Sequence, residues 1–150
     1  MKTLSNNASM IMDKILSGMK KIGDTRKLDN SRVYMPLSIE VINEVSSGLI
    51  RGKIFSLAHY FVQNGDLMAD PEITYLQIFT GTNALGEPVH NYLPMTYTNH
   101  SIGKFQEVVP IEEDGTIIRL NKNGVRDLSK FTNTWMNNIK FQQNIFSKKN

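Results

Sequence analysis

Apolar residues recur at spacings of three and four near both ends of the chain, which is typical of amphipathic helices. The first such stretch covers residues 8–22, with Asn7 or Ser9 as a candidate N-cap. The second covers residues 124–146, with Asn121 or Asn123 as a candidate cap. Its expected buried stripe consists of Leu128, Phe131, Trp135, Ile139, Gln142 and Phe146. The pattern therefore predicts one helix at each end.

Between these helices, apolar residues alternate with polar ones, which is typical of β-strands. Residues 24–32 are polar and turn-prone, and we expect a loop there. The predicted strands cover residues 33–45, 53–63, 72–79, 89–98, 104–111 and 116–120. In the first strand, Val33, Met35 and Leu37 share a face, and the second is apolar on both faces, which favours a central position.

Short turns between consecutive strands imply antiparallel pairing of sequence neighbours. We therefore expect an α+β fold, with an antiparallel meander sheet of about six strands and the N- and C-terminal amphipathic helices packed on one face. A chain of 150 residues is large enough to bury a core, and we expect residues 1–150 to form a single domain.

Residues 59–72 concentrate turn chemistry, a histidine and three carboxylates. Asn64-Gly65 predicts a hairpin turn, because both residues tolerate positive φ. Asp66 and Asp70-Pro71 are expected to extend this turn into a longer structured loop. The candidate functional loop consists of His59, Asn64, Asp66, Asp70 and Glu72.

This loop has two interpretations. Asp66, Asp70 and Glu72 could bind a hard cation such as Mg²⁺ and support metal-assisted phosphodiester cleavage. Alternatively, the aspartates accept hydrogen bonds from loop amides, and His59 is a core histidine with satisfied hydrogen bonds. No lysine lies between Lys53 and Lys104, which disfavours a nuclease. We therefore assign no catalytic residue, leave a metal site open and expect no cofactor.

Charge is distributed unevenly along the chain. Residues 1–32 carry seven Lys/Arg against three Asp, residues 33–114 three against ten Asp/Glu, and residues 115–150 seven against one Asp. One interpretation is solvated lysines around an acidic sheet. The other is a basic face, formed jointly by the two ends, that meets a polyanion. Its candidate nucleic-acid-binding residues are Lys20, Lys21, Arg26, Lys27, Arg126, Lys130 and Lys140.

Several classes of protein and site are disfavoured by composition. The chain has no cysteine, so it has neither disulfides nor thiolate metal ligands. It has no run of eighteen apolar residues and no uninterrupted apolar stretch near Met1, so we expect a cytoplasmic protein without membrane contact. No phosphate-binding glycine loop occurs. His90 and His100 are isolated in turn-rich stretches, and we expect both at the surface.

A family resemblance rests on His59-Tyr60, on Gln63-Asn64-Gly65-Asp66-Leu67-Met68 and on Asp70-Pro71-Glu72. These runs resemble the signature of an uncharacterised domain family found in plasmids, conjugative elements and phages. Similar flanking residues include Asp29-Asn30, Ser38–Ile42, Phe105–Glu107, Trp135–Lys140 and Gln142-Gln143. The chain departs from the family at Phe61-Val62, where the resemblance leads us to expect Tyr-Glu. The family has no settled activity, so the resemblance implies a mobile-DNA setting and no catalytic residues.

Three hypotheses follow. The first is a non-enzymatic mobile-element protein that binds nucleic acid, or a nucleic-acid-processing complex, through its basic helical ends. The second is a protein–protein module that acts on host defence or conjugation machinery through the acidic sheet. The third is a metal-dependent enzyme acting on phosphodiesters. A homodimer could form through an edge strand near Pro36 or through a methionine-rich helix face.

Overall fold

Two helices enclose a run of strands along the chain. The computed structural model describes residues 3–46, 51–112, 116–117 and 119–146. In this part of the chain the elements are α1 (Asn6–Leu16), β1 (Thr25–Leu28), β2 (Leu37–Val45), β3 (Gly52–Gln63), β4 (Asp66–Thr82), β5 (Pro88–Asn99), β6 (Lys104–Glu107) and α2 (Lys122–Gln142). The predicted α+β class is confirmed.

The strands form one sheet in the order β1-β2-β3-β4-β5-β6. Each strand pairs with the next one along the chain, and every neighbouring pair is antiparallel. This is the predicted meander, and it follows from short connections that let the chain turn back directly onto the strand just formed. The long hairpin of β3 and β4 forms its centre.

The strand prediction misses one strand and adds one that is wrong, so its total of about six still agrees with the sheet. Residues 24–32, expected as a loop, contain β1, which pairs with β2 from Thr25 opposite Glu40 to Leu28 opposite Leu37. The predicted strand at 116–120 is wrong in its described residues, which lie in no strand. The strand predicted at 104–111 ends at Glu107. The strand predicted from residue 33 begins at Leu37, and Val33 and Met35 are exposed instead of sharing its buried face.

Both helices are shorter than predicted. The N-cap of α1 is Ser5, whose Oγ accepts a hydrogen bond from the backbone N–H of Ala8 at 3.1 Å. The helix ends at Leu16, and Gly18 adopts a φ of +84°, which a helix cannot continue. The cap of α2 is Asn121, one of the two predicted candidates, and its Oδ1 accepts from the N–H of Gly124 at 3.0 Å. This helix ends at Gln142 and therefore excludes Phe146.

One hydrophobic cluster lies between the helices and the sheet. Strand residues with buried side chains, among them Phe55, Tyr75 and Tyr92, pack with Ile11 and Met12 of α1. From α2 the same cluster takes Trp135, Met136 and Ile139. Both helices therefore cover the same face of the sheet, as the sequence predicts.

A second cluster contains residues that alternate with the first along the strands. Ile54, Leu76 and Leu93 are cross-strand partners and directly follow or precede Phe55, Tyr75 and Tyr92. Successive side chains of a strand point to opposite faces, so these three point away from the first cluster. They are buried together with Val108 and Val125, which come after β6. The middle of the sheet is thus covered on both faces, as the apolar pattern of residues 53–63 indicates.

Neither helix in the described ranges combines the length and the apolar character needed to cross a membrane.

Candidate functional site

Residues 59–72 form a tight hairpin between two long strands. Asn64 and Gly65 occupy the turn with φ of +52° and +83°, and Gln63 pairs directly with Asp66. The turn prediction at Asn64-Gly65 is therefore confirmed. The longer loop expected beyond it is wrong, because β4 begins at Asp66 and continues through the cis Asp70-Pro71 bond. Pairing across the hairpin gives the backbone groups of this stretch strand partners.

His59 has a structural position. Its Nδ1 lies 2.9 Å from the carbonyl oxygen of Pro36, and its Nε2 lies 3.1 Å from Nε1 of Trp135. An indole nitrogen can only donate, so Nε2 accepts and Nδ1 carries the proton that is donated to Pro36. Both ring nitrogens are therefore engaged, which matches the interpretation of His59 as a core histidine with satisfied hydrogen bonds.

The three carboxylates of the stretch serve different neighbours. Asp66 is exposed beside the turn. Oδ1 of Asp70 accepts a hydrogen bond from Nδ2 of Asn99 at 2.9 Å. Oε2 of Glu72 accepts from Ser56 Oγ at 2.9 Å and from the Tyr60 hydroxyl at 2.8 Å. Within residues 3–46, 51–112, 116–117 and 119–146, no group of three His, Asp or Glu side chains is arranged to hold a metal ion.

Glu72 lies on the sheet face opposite the helices, where polar side chains form one cross-strand row beside the second hydrophobic cluster. Thr25, Glu40, Ser56, Thr74, Thr96 and Glu107 are successive Cα partners across all six strands. Thr74 and Thr96 are joined by a hydroxyl–hydroxyl hydrogen bond of 2.6 Å. Partial burial, reinforced by the hydrogen bond to Glu72, raises the pKa of Tyr60 to about 12. This polar row is therefore hydrogen-bonded, and its carboxylates come from Glu40 and Glu107, with Glu72 bonded to it through Ser56.

The seven predicted basic residues do not form one surface. Lys20 and Lys21 lie in the turn after α1, and their backbone N–H groups both donate to Asp24 Oδ2 at 3.0 Å. These two backbone bonds lower the pKa of Asp24, so its negative charge stays beside the two lysines. The turn is therefore less basic than its lysines alone indicate.

The other predicted cations separate into two groups. Arg126 and Lys130 precede Lys140 by fourteen and ten positions on α2, which is about 21 and 15 Å at a rise of about 1.5 Å per residue. Lys27 follows Arg26 on β1, so the two side chains point to opposite faces of the sheet. Arg26 and Lys140 remain as the predicted pair that the fold brings to one end of the helix layer.

Three further residues join them, and we call Lys14, Arg26, Lys140, Phe141 and Phe146 the basic cluster. The Nζ atoms of Lys14 and Lys140 each lie 5.9 Å from the ring centroid of Phe146. Lys140 lies at the same distance from the Phe141 ring. Two ammonium groups therefore converge on one aromatic ring, an arrangement that favours cation–π attraction.

The cluster forms because α1 and α2 run in the same direction. Near the start of α1, the Ser5 N–H donates to Asn133 Oδ1 at 2.9 Å, and near its end Lys14 reaches Phe146. The carboxyl ends of both helices therefore meet. Arg26 donates from Nη1 to Ile15 O and from Nη2 to Ser17 O, both at 2.7 Å. Its charge thus offsets the negative end of the α1 dipole.

An open cavity of about 500 Å³ lies beside the cluster, and its lining includes Lys14, Arg26, Asn144 and Phe146. Phe141 and Phe146 are 74% and 47% exposed. The sole ion pair in the described residues joins His90 to Asp13, so the ammonium groups of Lys14 and Lys140 have no carboxylate partner there. Unpaired cations can bind phosphates, and the exposed aromatic rings beside them can stack with bases.

Sequence reasoning missed Lys14, Phe141 and Phe146. It assigned Phe146 to the buried stripe of α2, but the helix stops four residues earlier and Phe146 adopts a φ of +68°. In the sequence, Lys14 is a cation outside the apolar positions of residues 8–22. The sequence contained no signal for its position opposite Lys140, because that depends on how the two helices pack.

The chain belongs to a family of domains of unknown function, DUF6908. The family model matches residues 8–145, a range that includes nearly all of α1, the whole sheet and all of α2. Searches of curated proteins and of solved structures gave no significant match. The expectation of an uncharacterised domain family is thereby confirmed.

Proposed function

We propose that this DUF6908 domain binds single-stranded nucleic acid, without catalysing a reaction, through the basic cluster. The observation that carries the proposal is the convergence of Lys14 and Lys140 on the ring of Phe146 without a carboxylate partner in the described residues. Each ammonium group can contact a phosphate, and the half-exposed ring lies between them.

A single strand fits this cluster better than a duplex. Phe141 and Phe146 expose ring surface beside the cations, and a base can stack on such a ring only when it is unpaired. Stacking contributes about 1–3 kcal/mol per base and depends little on sequence. We therefore expect binding with weak sequence preference and a strong dependence on salt.

The proposal extends to a biological setting. The runs around His59-Tyr60, Asn64-Gly65 and Asp70-Pro71-Glu72 resemble proteins of plasmids, conjugative elements and phages. In such a setting, single-stranded intermediates arise during transfer and replication. The domain would then act in the cytoplasm on mobile DNA or on a complex that processes it.

The experiment is fluorescence anisotropy with a labelled oligonucleotide, single- or double-stranded, over a range of salt concentrations. The double variant Lys14→Gln/Lys140→Gln should weaken single-strand binding and reduce the slope of log K against log salt by about 1.4, since each single-strand phosphate contact contributes about 0.7. Phe146→Ala should weaken binding about tenfold and leave that slope unchanged.

The matched control is Arg126→Gln/Lys130→Gln, which removes the same charge from the other end of α2. It should change binding by less than twofold. Equal losses in both double variants would show that total charge, and not the basic cluster, drives association. Absence of binding at low salt would contradict the proposal as a whole.

A second candidate function is protein–protein recognition through the polar sheet face. It is favoured by the cross-strand row that includes Glu40 and Glu107, both exposed, with Ser56 and the threonine pair between them. A stable partner that co-purifies with the wild-type chain, and is lost with Glu40→Lys/Glu107→Lys, would support it.

A further inference from the structure

A hydrogen-bonded network connects α1 to β4 and β5 on the helix-covered side of the sheet. His90 Nδ1 lies 2.8 Å from Asp13 Oδ1, and the Tyr92 hydroxyl donates to the same carboxylate oxygen. Gln77 Nε2 donates to the Tyr92 hydroxyl at 3.0 Å. We expected His90 at the surface; its side chain is 18% exposed and is also hydrogen-bonded to α1.

The network fixes the orientation of the imidazole. An ionised carboxylate only accepts, so Nδ1 of His90 carries a proton and donates it to Asp13. Nε2 of His90 has no hydrogen-bond partner in the described residues. The hydroxyl of Tyr92 is held neutral, since burial and the bond to Asp13 raise its pKa. Nε2 of His90 is therefore available for a hydrogen bond to a ligand.

His90 lines a groove of about 360 Å³, within the range of small-molecule sites. Three of its polar lining residues belong to one cross-strand row, because Glu44, Lys53 and Gln77 are successive Cα partners. Arg51 adds a second cation, and neither it nor Lys53 has an ion-pair partner in the described ranges. The groove therefore offers two unpaired cations against the carboxylate of Glu44.

One wall of the groove is aromatic. Phe79 is the Cα partner of His90, and their rings meet edge-on with centroids 5.9 Å apart. The Phe79 side chain is 60% exposed, so one ring surface is available to a ligand. The groove thus combines cations for a phosphate, a flat apolar surface for a base and an oriented imidazole.

We propose that this groove binds a mononucleotide, with its phosphate on Arg51 and Lys53, its base against Phe79, and His90 Nε2 in hydrogen-bonding contact with the ligand. The site differs from the basic cluster. Asp13 and Lys14 are consecutive residues of α1, but Asp13 bonds to His90 whereas Lys14 lies over Phe146. The proposal does not depend on single-strand binding by that cluster.

The experiment is an NMR titration with adenosine 5′-monophosphate and, separately, inorganic phosphate. The imidazole resonances of His90 should shift with both, and those of His59 should not. Adenosine monophosphate should bind about tenfold more tightly than phosphate, since one stacked base adds about that factor. Equal affinities would overturn the assignment of the base to Phe79. An unmoved His90 resonance would overturn the site.

Variants locate the contacts. Arg51→Gln/Lys53→Gln should weaken both ligands about tenfold or more, because hydrogen bonds to charged groups are lost. Phe79→Ala should weaken the nucleotide alone and leave phosphate binding unchanged. Lys14→Gln/Lys140→Gln should leave both affinities intact. If that last variant abolishes binding and the groove variants do not, the ligand occupies the basic cluster and the proposal is wrong.

Asp13→Leu tests the orientation of His90. A leucine side chain has no acceptor for the Nδ1 proton of His90 or for the hydroxyl of Tyr92, so the ring should lose its fixed direction. We expect the nucleotide affinity to fall and the two imidazole nitrogen resonances to change together. The phosphate contacts of Arg51 and Lys53 should persist, which distinguishes a positioning role from unfolding.

Discussion

Trp135 donates its indole N–H to Nε2 of His59 across 3.1 Å, and the two rings meet edge-on with centroids 5.5 Å apart. On the other side of the imidazole, Nδ1 donates to the carbonyl of Pro36 at 2.9 Å. A single neutral tautomer therefore connects α2, β3 and the residue before β2. This explains a histidine within an otherwise apolar strand.

His59→Phe should destabilise the fold by about 1–3 kcal/mol, because the indole N–H of Trp135, which is 6% exposed, loses its acceptor. The measurement is urea unfolding followed by circular dichroism. Ile102→Ala is the control, since Ile102 is exposed and should change stability by less than about 0.5 kcal/mol.

A double-mutant cycle with Trp135→Phe separates this bond from general packing. The summed losses of unfolding free energy in the two single variants should exceed the loss in the double variant, since the second substitution removes a donor that is already unpaired. Strict additivity of the two losses would mean that the contact contributes nothing specific.

Gln143 is a second side chain that connects distant segments of the chain by hydrogen bonds. It is fully buried, its Oε1 accepts from the Asn30 N–H at 2.8 Å, and its Nε2 donates to Met35 O at 3.2 Å. Gln143→Leu should cost about 1–3 kcal/mol, because both backbone groups lose a partner. Gln142→Leu, which makes the same chemical change one residue earlier, should have little effect. Chemical unfolding of the two variants compares them directly.

The sequence predicted the fold class because periodicity reports burial directly. Alternation marked β2 to β5, and the three-and-four spacing marked both helices. It missed β1 because Thr25–Leu28 is polar, with an edge position that leaves Thr25 and Lys27 exposed. This segment is a strand because its backbone pairs with β2, and not because its residues are hydrophobic.

The candidate sites were less accessible to sequence reasoning. Residues 59–72 were predicted as a candidate site because their carboxylates are close along the chain. In the hairpin, however, Asp70 and Glu72 bind different partners. Conversely, Asp13 and His90 are separated by 77 positions and meet only through the packing of α1 on β5. Short-range patterns do not encode such contacts.

Ser129 tests whether every buried polar group contributes to stability. Its Oγ is buried and has no hydrogen-bond partner among the described residues. Ser129→Ala removes an unsatisfied hydroxyl and introduces the best helix-forming residue into α2, so stability should stay equal or rise. Thr132→Ala is the contrast, since Thr132 Oγ1 bonds to both Tyr75 and Leu128, and its loss should destabilise. Thermal unfolding of both variants decides, and a marked loss with Ser129→Ala would contradict the assignment.

The raised pKa of Tyr60 predicts that the fold loses stability at alkaline pH. Partial burial and the bond to Glu72 raise its pKa to about 12 in the fold, whereas an unfolded tyrosine has a pKa of about 10. Between these values the unfolded chain has released the proton that the folded chain retains, so stability falls as pH rises from about 10 to about 12. Tyr60→Phe removes this contribution and should flatten the dependence in part, because Tyr75 and Tyr92 also have raised pKa values.

The measurement for Tyr60 is the free energy of unfolding in urea at several pH values from 9 to 11.5. Val62→Ala, an exposed and non-titrating neighbour on the same strand, should keep the wild-type slope. A Tyr60→Phe slope identical to wild type would show that the hydroxyl ionises equally in both states. The hydrogen bond to Glu72 would then not hold the phenol neutral, and the polar sheet face would be open to solvent at this point.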